Sequence, residues 1–346
     1  MAATRLESEL LEQGGVLAGR AEAGREAART AADLLLGAGT DFLLLGGRGS
    51  SDNAARYAQY LLGMHAGLSV GLAAPWLFAG DFPPPSLRGG GVLAVSQSGG
   101  SPDVVALLAG ARKQRRPAIA VTNEPGSPLA ATADVVVPLC VGRERSVAAT
   151  KSYTASLHAL VQLALALRPD TEMQSWLARL PELVARVAED QLESRARFDL
   201  LGASGWLTVV GRGLNYATAH ETALKLRELS GSPAEAFSPP DLLHGPVAAL
   251  GRATGLWIVS AGGGRQPDPE LLAALRGRAG VVVAVSDNDE LLAAADVAVP
   301  LPSGLPAWVA PFLAVIPGQV AALRLAELRR VEIDAPHGLR KVTLTT

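Results

Sequence analysis

The chain of 346 residues carries an internal repeat, which restricts the folds open to it. Three pairs of similar segments stand 164 residues apart: GRG at 47–49 and 211–213, AVSQSGG at 94–100 and IVSAGGG at 258–264, and AVTN at 120–123 and AVSD at 284–287. A fourth pair, ATADVVVPL at 131–139 and AAADVAVPL at 293–301, follows in the same order but two residues out of step. Four matches in one order indicate two similar domains.

Short apolar strands alternate with helical segments along the chain. DFLLLGG, GGVLAV, PAIAVTN and ADVVVPL predict strands in the first repeat, with helices at 52–63 and 103–114 between them. A leading helix is predicted at 5–37, and further helices are predicted at 151–200 with a break near Pro169. This alternation is typical of a parallel sheet covered by helices on both faces. We therefore predict an α/β protein made of two tandem, doubly wound parallel-sheet domains.

The pattern divides the chain into four parts. The predicted ranges are a helical leader at 1–36, a first domain with serine-rich loops at 37–195, a second domain with a charged helix and a His-Gly-Pro turn at 196–329, and a carboxy-terminal tail at 330–346. The hydroxyl-rich loops of the first repeat are missing from the second, so the two domains are expected to have different roles.

Composition and charge exclude several classes of protein. The formal net charge is −2 with no long basic run, so we expect no nucleic-acid partner. Cys140 is the one cysteine, which excludes an internal disulfide and a multi-cysteine metal site, and we expect it to be a buried core residue. The apolar stretch 305–325 is interrupted by prolines, and we expect a buried helix there and no membrane span. The acidic amino terminus lacks an apolar signal core, so a cytoplasmic location is predicted.

Two polar loops follow predicted strands in the first repeat. One is SQSGGS, with Ser96, Gln97, Ser98 and Ser101, and the other is RGSS at 48–51, in which Ser51 is expected to cap the next helix. In a parallel sheet such loops lie at the ligand-binding edge, where hydroxyl groups and helix amino termini suit a phosphate dianion. The alternative is that both loops are ordinary helix caps and tight turns.

The second repeat carries residues suited to proton transfer. Glu221, Lys225 and Glu228 are spaced to share one face of a helix, and His244 precedes Gly245 and Pro246 in the turn LLHGP. Histidine exchanges protons near neutral pH. The alternatives are a solvated helix face with a weak Glu221–Lys225 ion pair and a purely structural histidine.

Taken together, GRGSS, SQSGGSPD, ERSVAATKSYT, ETALKLRELS, PDLLHGP and APHGLRKVTL resemble the sugar-isomerase (SIS) family. The resemblance is strongest to the isomerase half of glutamine–fructose-6-phosphate aminotransferase and to stand-alone SIS-type glucosamine-6-phosphate deaminases. It implies flavodoxin-like domains and a homodimer that shares its active sites, with a sugar phosphate as substrate. No cofactor and no metal is implied.

The resemblance also implies a role for each site residue. The residues implied to contact the phosphate and the rest of the substrate are Ser51, Ser96, Gln97, Ser98, Ser101, Ala149, Glu221 and Lys225. The implied catalytic residues are Glu228 as the C1–C2 proton shuttle, His244 in ring opening and Lys341 over the substrate. This sequence departs from the synthase at Gly100, Ser101 and Ala149 and has no cysteine nucleophile for a glutaminase.

The expected reaction is conversion of glucosamine 6-phosphate to fructose 6-phosphate and ammonia. Alternatives are another phosphosugar isomerase, a deglycase of fructosamine 6-phosphates, and a non-catalytic sugar-phosphate sensor. Retention of Glu228, His244 and Lys341 favours an enzyme over a sensor.

Overall fold

The computed structural model describes residues 4–263, 277–334, 338 and 341, and within the chain two compact units can be distinguished. The first-repeat unit contains Glu12–Arg145, Ala149–Pro181 and Arg340–Thr346. The second-repeat unit contains Met1–Leu11, Ser146–Ala148 and Glu182–Leu339. Each unit therefore contains several separate segments of the chain. The division into four consecutive ranges that we made from the sequence stays a prediction.

Strands and helices alternate as the sequence predicts. The strands are β1 Phe42–Gly46, β2 Ser69–Leu72, β3 Gly90–Val95, β4 Ala118–Thr122, β5 Val135–Pro138, β6 Trp206–Gly211, β7 Ala234–Phe237, β8 Thr254–Ser260, β9 Val281–Ser286 and β10 Val297–Pro300. The helices are α1 Arg5–Gly37, α2 Ser50–Ala66, α3 Trp76–Ala79, α4 Pro102–Lys113, α5 Pro128–Thr132, α6 Lys151–Leu167, α7 Thr171–Glu193, α8 Leu214–Ser230, α9 Pro239–Leu243, α10 Asp289–Ala293 and α11 Ala310–Leu328. Two 3-10 helices cover Arg195–Ala203 and Pro246–Ala249.

Each unit is built on a five-stranded parallel sheet, and the two sheets have the same strand order. The first is β2-β1-β3-β4-β5, and the second, read from its other edge, is β7-β6-β8-β9-β10. All the paired strands are parallel, and this order is that of doubly wound flavodoxin-like sheets. The prediction of two tandem doubly wound domains is confirmed.

The repeat extends to the backbone angles at the ends of one helix. Gly49 precedes α2 with φ 56° and ψ −127°, and Gly213, its counterpart 164 residues later, precedes α8 with φ 58° and ψ −128°. Both helices end at a left-handed glycine, Gly67 or Gly231, again 164 residues apart. Positive φ values of this kind favour glycine strongly, so the second glycine of GRG is required by the turn from strand to helix.

The apolar stretch near the carboxy terminus forms α11, the central helix of the second-repeat unit. Its length and composition would allow it to cross a membrane, but 83% of its most apolar window is buried inside the protein. The helix packs on α8 so closely that a Cβ atom at Gly318 would collide with the side chain of Thr222. The expectation of a buried helix is confirmed, and its apolar character is explained by this packing.

Cys140 does not lie in the core. It is exposed, with φ of 53°, in the loop that follows β5. The prediction that it is buried was wrong because only its neighbours Leu139 and Val141 point into the core, and the residue between them, with its positive φ, is left exposed.

Candidate functional site

The two serine-rich loops lie at the carboxyl ends of β1 and β3, which are neighbours in the sheet of the first-repeat unit. The chain leaves β1 toward β2 on one side and β3 toward β4 on the other, so these loops flank the point where the strand order reverses. Ligands of open α/β sheets bind at this position. The structure thus brings Ser51, Ser96, Gln97, Ser98 and Ser101 to one edge of one sheet.

Hydrogen bonds inside the SQSGGS loop fix its shape. The Oγ atoms of Ser96 and Ser98 accept hydrogen bonds from Gly99 N at 3.1 Å and Gly100 N at 3.4 Å. Gly99 has φ of 61°, and a Cβ atom there would collide with Ser127. A hydroxyl that accepts a bond still has its own hydrogen to donate, so the loop can offer hydroxyl donors to an anion.

Part of each loop forms the start of a helix. Ser101 is the N-cap of α4 but makes no side-chain capping bond, so its hydroxyl remains suited to a ligand. Ser51 does not cap α2, because the helix begins one residue earlier and its N-cap is Gly49. The prediction that Ser51 caps the helix was wrong, because Gly49, whose positive φ makes the turn from strand to helix, already occupies the N-cap position. Ser51 instead lies in the first turn of α2, where its N–H bonds to Arg48 O at 3.1 Å.

An ion pair that the sequence analysis missed joins the two loops. Arg48 of GRGSS donates from Nε to Oδ2 of Asp103 at 2.8 Å, and its Nη2 also pairs with that oxygen. The side chain of Asp103 is 6% exposed, whereas that of Arg48 is 50% exposed. A carboxylate in the first turn of α4 would repel a phosphate bound at the same helix terminus. Arg48 neutralises this charge and presents a cation to solvent at the sheet edge.

We expect Arg48→Met to weaken binding of the sugar phosphate that the resemblance implies by roughly tenfold or more, because it removes a charge-assisted pair and leaves the Asp103 carboxylate without this cation. Arg212 holds the same place in the second GRG and forms no ion pair with another described residue, so Arg212→Met is the matched control. Isothermal titration calorimetry with a sugar 6-phosphate would measure the affinity of both variants. Equal affinity of the two variants would exclude this role, and Arg48→Met/Asp103→Asn should recover part of the loss.

The charged face of α8 is largely buried in the second-repeat unit. Lys225 Nζ lies 3.4 Å from Oε1 of Glu221 and also contacts Oε2 of Glu228. The side chains of Lys225 and Glu221 are 1% and 0% exposed, whereas that of Glu228 is 27% exposed. The alternative of a solvated face is therefore wrong for the first two residues. Glu228, about one turn further along the helix, still reaches solvent.

This arrangement suits Glu228 to proton transfer. Lys225 contacts both carboxylates and so fixes the position of the partly exposed one, Glu228. A carboxylate that is held by a buried cation but still accessible can accept a proton from a bound molecule and return it elsewhere. The three residues that spacing places on one face are linked through Lys225, and their assignment to catalysis stays a prediction.

His244 ends α9 and begins a turn. Its N–H bonds to Pro240 O at 3.1 Å, its residue is exposed, and the following Gly245 has φ of 146°. Pro246 starts a 3-10 helix. The exposed imidazole is accessible for proton exchange.

Lys341 pairs with Glu144 in the first-repeat unit, with Nζ 2.6 Å from Oε2. Most of the APHGLRKVTL motif lies outside the described residues, but Gly338 and Lys341 are within them. Glu144 belongs to ERSVAATKS, the segment that leads into α6, and Ala149 lies half-buried in the same segment. Sequence reasoning missed Glu144, although its place in this motif is a signal that could have drawn attention to it.

The environment of Glu144 favours its ionised form. Burial alone would raise the pKa of this carboxyl, but the Lys341 ammonium and hydrogen bonds from Ser152 and Thr150 together hold the pKa below its usual value. Glu144 is therefore a carboxylate at neutral pH. Within the described ranges, no group of His, Cys, Asp or Glu side chains is arranged to hold a metal ion.

The sequence model of the SIS domain matches residues 41–166 and 202–328, one match in each repeat. The chain belongs to the SIS domain family. Glutamine–fructose-6-phosphate aminotransferase from Legionella pneumophila strain Lens is 33% identical over 307 residues, which cover 85% of this chain and 49% of that protein. The enzyme of the same name from Mycolicibacterium smegmatis is 32% identical over 272 residues, covering 72% of this chain and 42% of its own. The chain thus spans about half the length of these SIS relatives.

Solved SIS structures share the fold over nearly the whole chain. A protein from Silicibacter pomeroyi DSS-3, provisionally assigned as a phosphosugar isomerase, is 26% identical with a TM-score of 0.83, covering 95% of this chain and 99% of that one. Glucosamine-6-phosphate deaminase from Thermotoga maritima is 21% identical with a TM-score of 0.77, covering 99% of this chain and 100% of that one. This second likeness establishes the fold alone.

Proposed function

We propose that this protein is an enzyme that converts glucosamine 6-phosphate and water to fructose 6-phosphate and ammonia. The observation that carries the proposal is the α8 cluster, in which buried Lys225 holds the accessible carboxylate of Glu228. SIS membership supports a phosphorylated sugar as substrate. The names of the aminotransferase relatives and of the deaminase neighbour support an amino sugar in particular.

Each proposed role follows from the chemistry of its side chain. The hydroxyls of Ser51, Ser96, Ser98 and Ser101 and the amide of Gln97 would hold the phosphate, with the amino termini of α2 and α4 adding backbone donors. Binding energy from the phosphate would position carbons that lie several bonds away. Glu221, Lys225 and Ala149 would shape the site around the substrate.

The proposed reaction moves one proton between two carbons and one from nitrogen to oxygen, and it breaks one carbon–nitrogen bond. His244 would assist opening of the sugar ring to the aldehyde. Glu228 would take the proton from C2 and deliver it to C1, while the amine nitrogen loses a proton and the aldehyde oxygen O1 gains one, so that C2 becomes the imine carbon of a fructose imine and C1 a hydroxymethyl carbon. Water then adds to C2, and ammonia leaves, giving fructose 6-phosphate. Oxidation at C2 balances reduction at C1, so no external electron acceptor is needed.

A second candidate is removal of an amine from a fructosamine 6-phosphate. Lys341 favours it, because a lysine beside a ketose carbon suits chemistry on an imine. Both reactions would use the same serine loops and the same carboxylate, and they differ in the substituent on nitrogen. A non-catalytic sugar-phosphate sensor is the remaining alternative, and the ordered contact of Lys225 with Glu228 counts against it.

We also infer that the protein assembles as a homodimer, in which His244 would serve the site of the other copy. The exposed position of His244 at the end of α9 is compatible with this role. Sedimentation velocity would report the oligomeric state. A monomer that retains full activity at high dilution would exclude a shared site.

Ammonia release from purified protein supplied with glucosamine 6-phosphate tests the proposed function, with fructose 6-phosphate measured in parallel. We expect the two products in equal amounts and no reaction with unphosphorylated glucosamine. Absence of both products from protein that binds the sugar phosphate would reject the deaminase. Fructosamine 6-phosphates and unsubstituted aldose and ketose phosphates would then identify the correct SIS reaction, and inactivity with all of them would favour the sensor.

A further inference from the structure

The carboxylate of Glu144 is bound by four donors. Its Oε1 accepts hydrogen bonds from the backbone N–H groups of Thr150 and Ser152, each at 3.0 Å. Its Oε2 accepts from Ser152 Oγ at 2.7 Å and from Lys341 Nζ at 2.6 Å. Three of the four donors belong to the start of α6, so the carboxylate is fixed to that helix whether or not the lysine is present.

Burial shows which partner of the pair is the fixed one. The Glu144 side chain is 0% exposed, whereas the Lys341 side chain is 25% exposed. The two residues are 197 positions apart in sequence. A buried acceptor held by the amino terminus of a helix is a rigid reference point, and an ion pair with it sets the position of a long, rotatable lysine side chain.

We propose that Glu144 is a positioning residue that docks Lys341 against the amino terminus of α6. The part that concerns catalysis rests on the role proposed above for Lys341. Glu144 does not itself touch the reacting carbons in this scheme. It acts by limiting the positions available to the Lys341 ammonium, which the flexible lysine stem would otherwise sample.

Glu144→Gln separates the two functions of this side chain. The amide oxygen can still accept from Thr150 N and Ser152 N, so the start of α6 keeps its cap. The amide NH₂ replaces the oxygen that faces Lys341 and cannot accept from an ammonium. Glu144→Asp serves as a second variant if the amide does not fold, because it keeps the charge but shortens the reach by one methylene.

Glu12→Gln is the matched control. Glu12 pairs with Lys151 Nζ at 2.5 Å, so this substitution also removes a carboxylate from an ion pair at the start of α6. It leaves the contact between Glu144 and Lys341 in place. A general loosening of this region would appear in both variants, whereas a specific effect on Lys341 appears in Glu144→Gln alone.

The reactivity of Lys341 toward an amine-acylating reagent, followed by mass spectrometry, tests docking without any substrate. We expect Glu144→Gln to raise the rate of Lys341 labelling by about tenfold, as expected from the loss of one charge-assisted hydrogen bond, with no change in Glu12→Gln. Glu144→Asp should give an intermediate rate. Equal Lys341 labelling in wild type, Glu144→Gln and Glu144→Asp would overturn the proposal.

A double-mutant cycle on ammonia release tests the link to catalysis. If Glu144 acts through Lys341, Glu144→Gln/Lys341→Met should have a kcat/KM within about twofold of that of Lys341→Met alone. Additive losses would reject the positioning role. If glucosamine 6-phosphate is not consumed by wild type, the proposed function fails while the labelling result still decides whether Glu144 docks Lys341.

Discussion

Glu228→Gln is expected to lower kcat for glucosamine 6-phosphate by ~10²–10⁴-fold, the range associated with loss of a general base. The amide has nearly the same size as the carboxylate but cannot accept and return a proton. Binding of the sugar phosphate should change little, because the proposed phosphate ligands belong to the serine loops of the first-repeat unit. Steady-state ammonia release and calorimetric titration would measure the two effects separately.

The matched control for this substitution is Glu235→Gln. Glu235 lies on β7 of the same unit and is exposed, and it has no assigned role. We expect it to retain wild-type kcat. If Glu228→Gln turned over at the wild-type rate, the C1–C2 proton shuttle would have to be reassigned. A large loss of affinity with unchanged kcat would make Glu228 a binding residue.

Lys225→Met is expected to destabilise the second-repeat unit by about 3–5 kcal/mol, the usual cost of removing one partner from a buried ion pair. The methionine fills a similar volume, but the Glu221 carboxylate would lose the ammonium now 3.4 Å away. Urea unfolding would register the loss. Since the chain has two units, hydrogen exchange of β6 and β8 would assign it to the second.

Two further variants distinguish charge from packing. Glu221→Gln/Lys225→Met should recover part of the stability, because the buried carboxylate that lost the Lys225 ammonium is gone. Lys113→Met, an exposed lysine at the end of α4, should change stability by at most ~0.5 kcal/mol. Equal stability of Lys225→Met and wild type would contradict the interpretation of Lys225 as a buried structural cation.

Much of the fold can be predicted from the sequence because both repeats carry the same pattern of strands, glycine turns and helices. Strand periodicity identifies each sheet, and the second glycine of GRG marks a turn whose angles agree within about two degrees between Gly49 and Gly213. Local patterns of this kind need no long-range information. The serine loops could be located for the same reason, since each directly follows an apolar strand.

Ion pairs between segments that are far apart in the sequence could not be predicted from local patterns. Arg48 and Asp103 are 55 residues apart, and no local pattern pairs them. Glu144 and Lys341 are farther apart still. The i, i+3 and i, i+4 spacings of the α8 cluster are equally compatible with a solvated face. The burial of Glu221 and Lys225 depends on tertiary packing, which the spacing along α8 does not reveal.

The most direct test of the central claim is carbon NMR of glucosamine 6-phosphate labelled with 13C at C1 and C2, incubated with the purified protein. The two labels report the fate of both reacting carbons, whichever product forms. We predict that the amine-bearing carbon becomes the C2 ketose carbon of fructose 6-phosphate while C1 becomes a hydroxymethyl carbon, and that Glu228→Gln suppresses both changes. An unchanged spectrum from protein that demonstrably binds the sugar phosphate would contradict the proposal that this chain is an amino-sugar phosphate isomerase and deaminase.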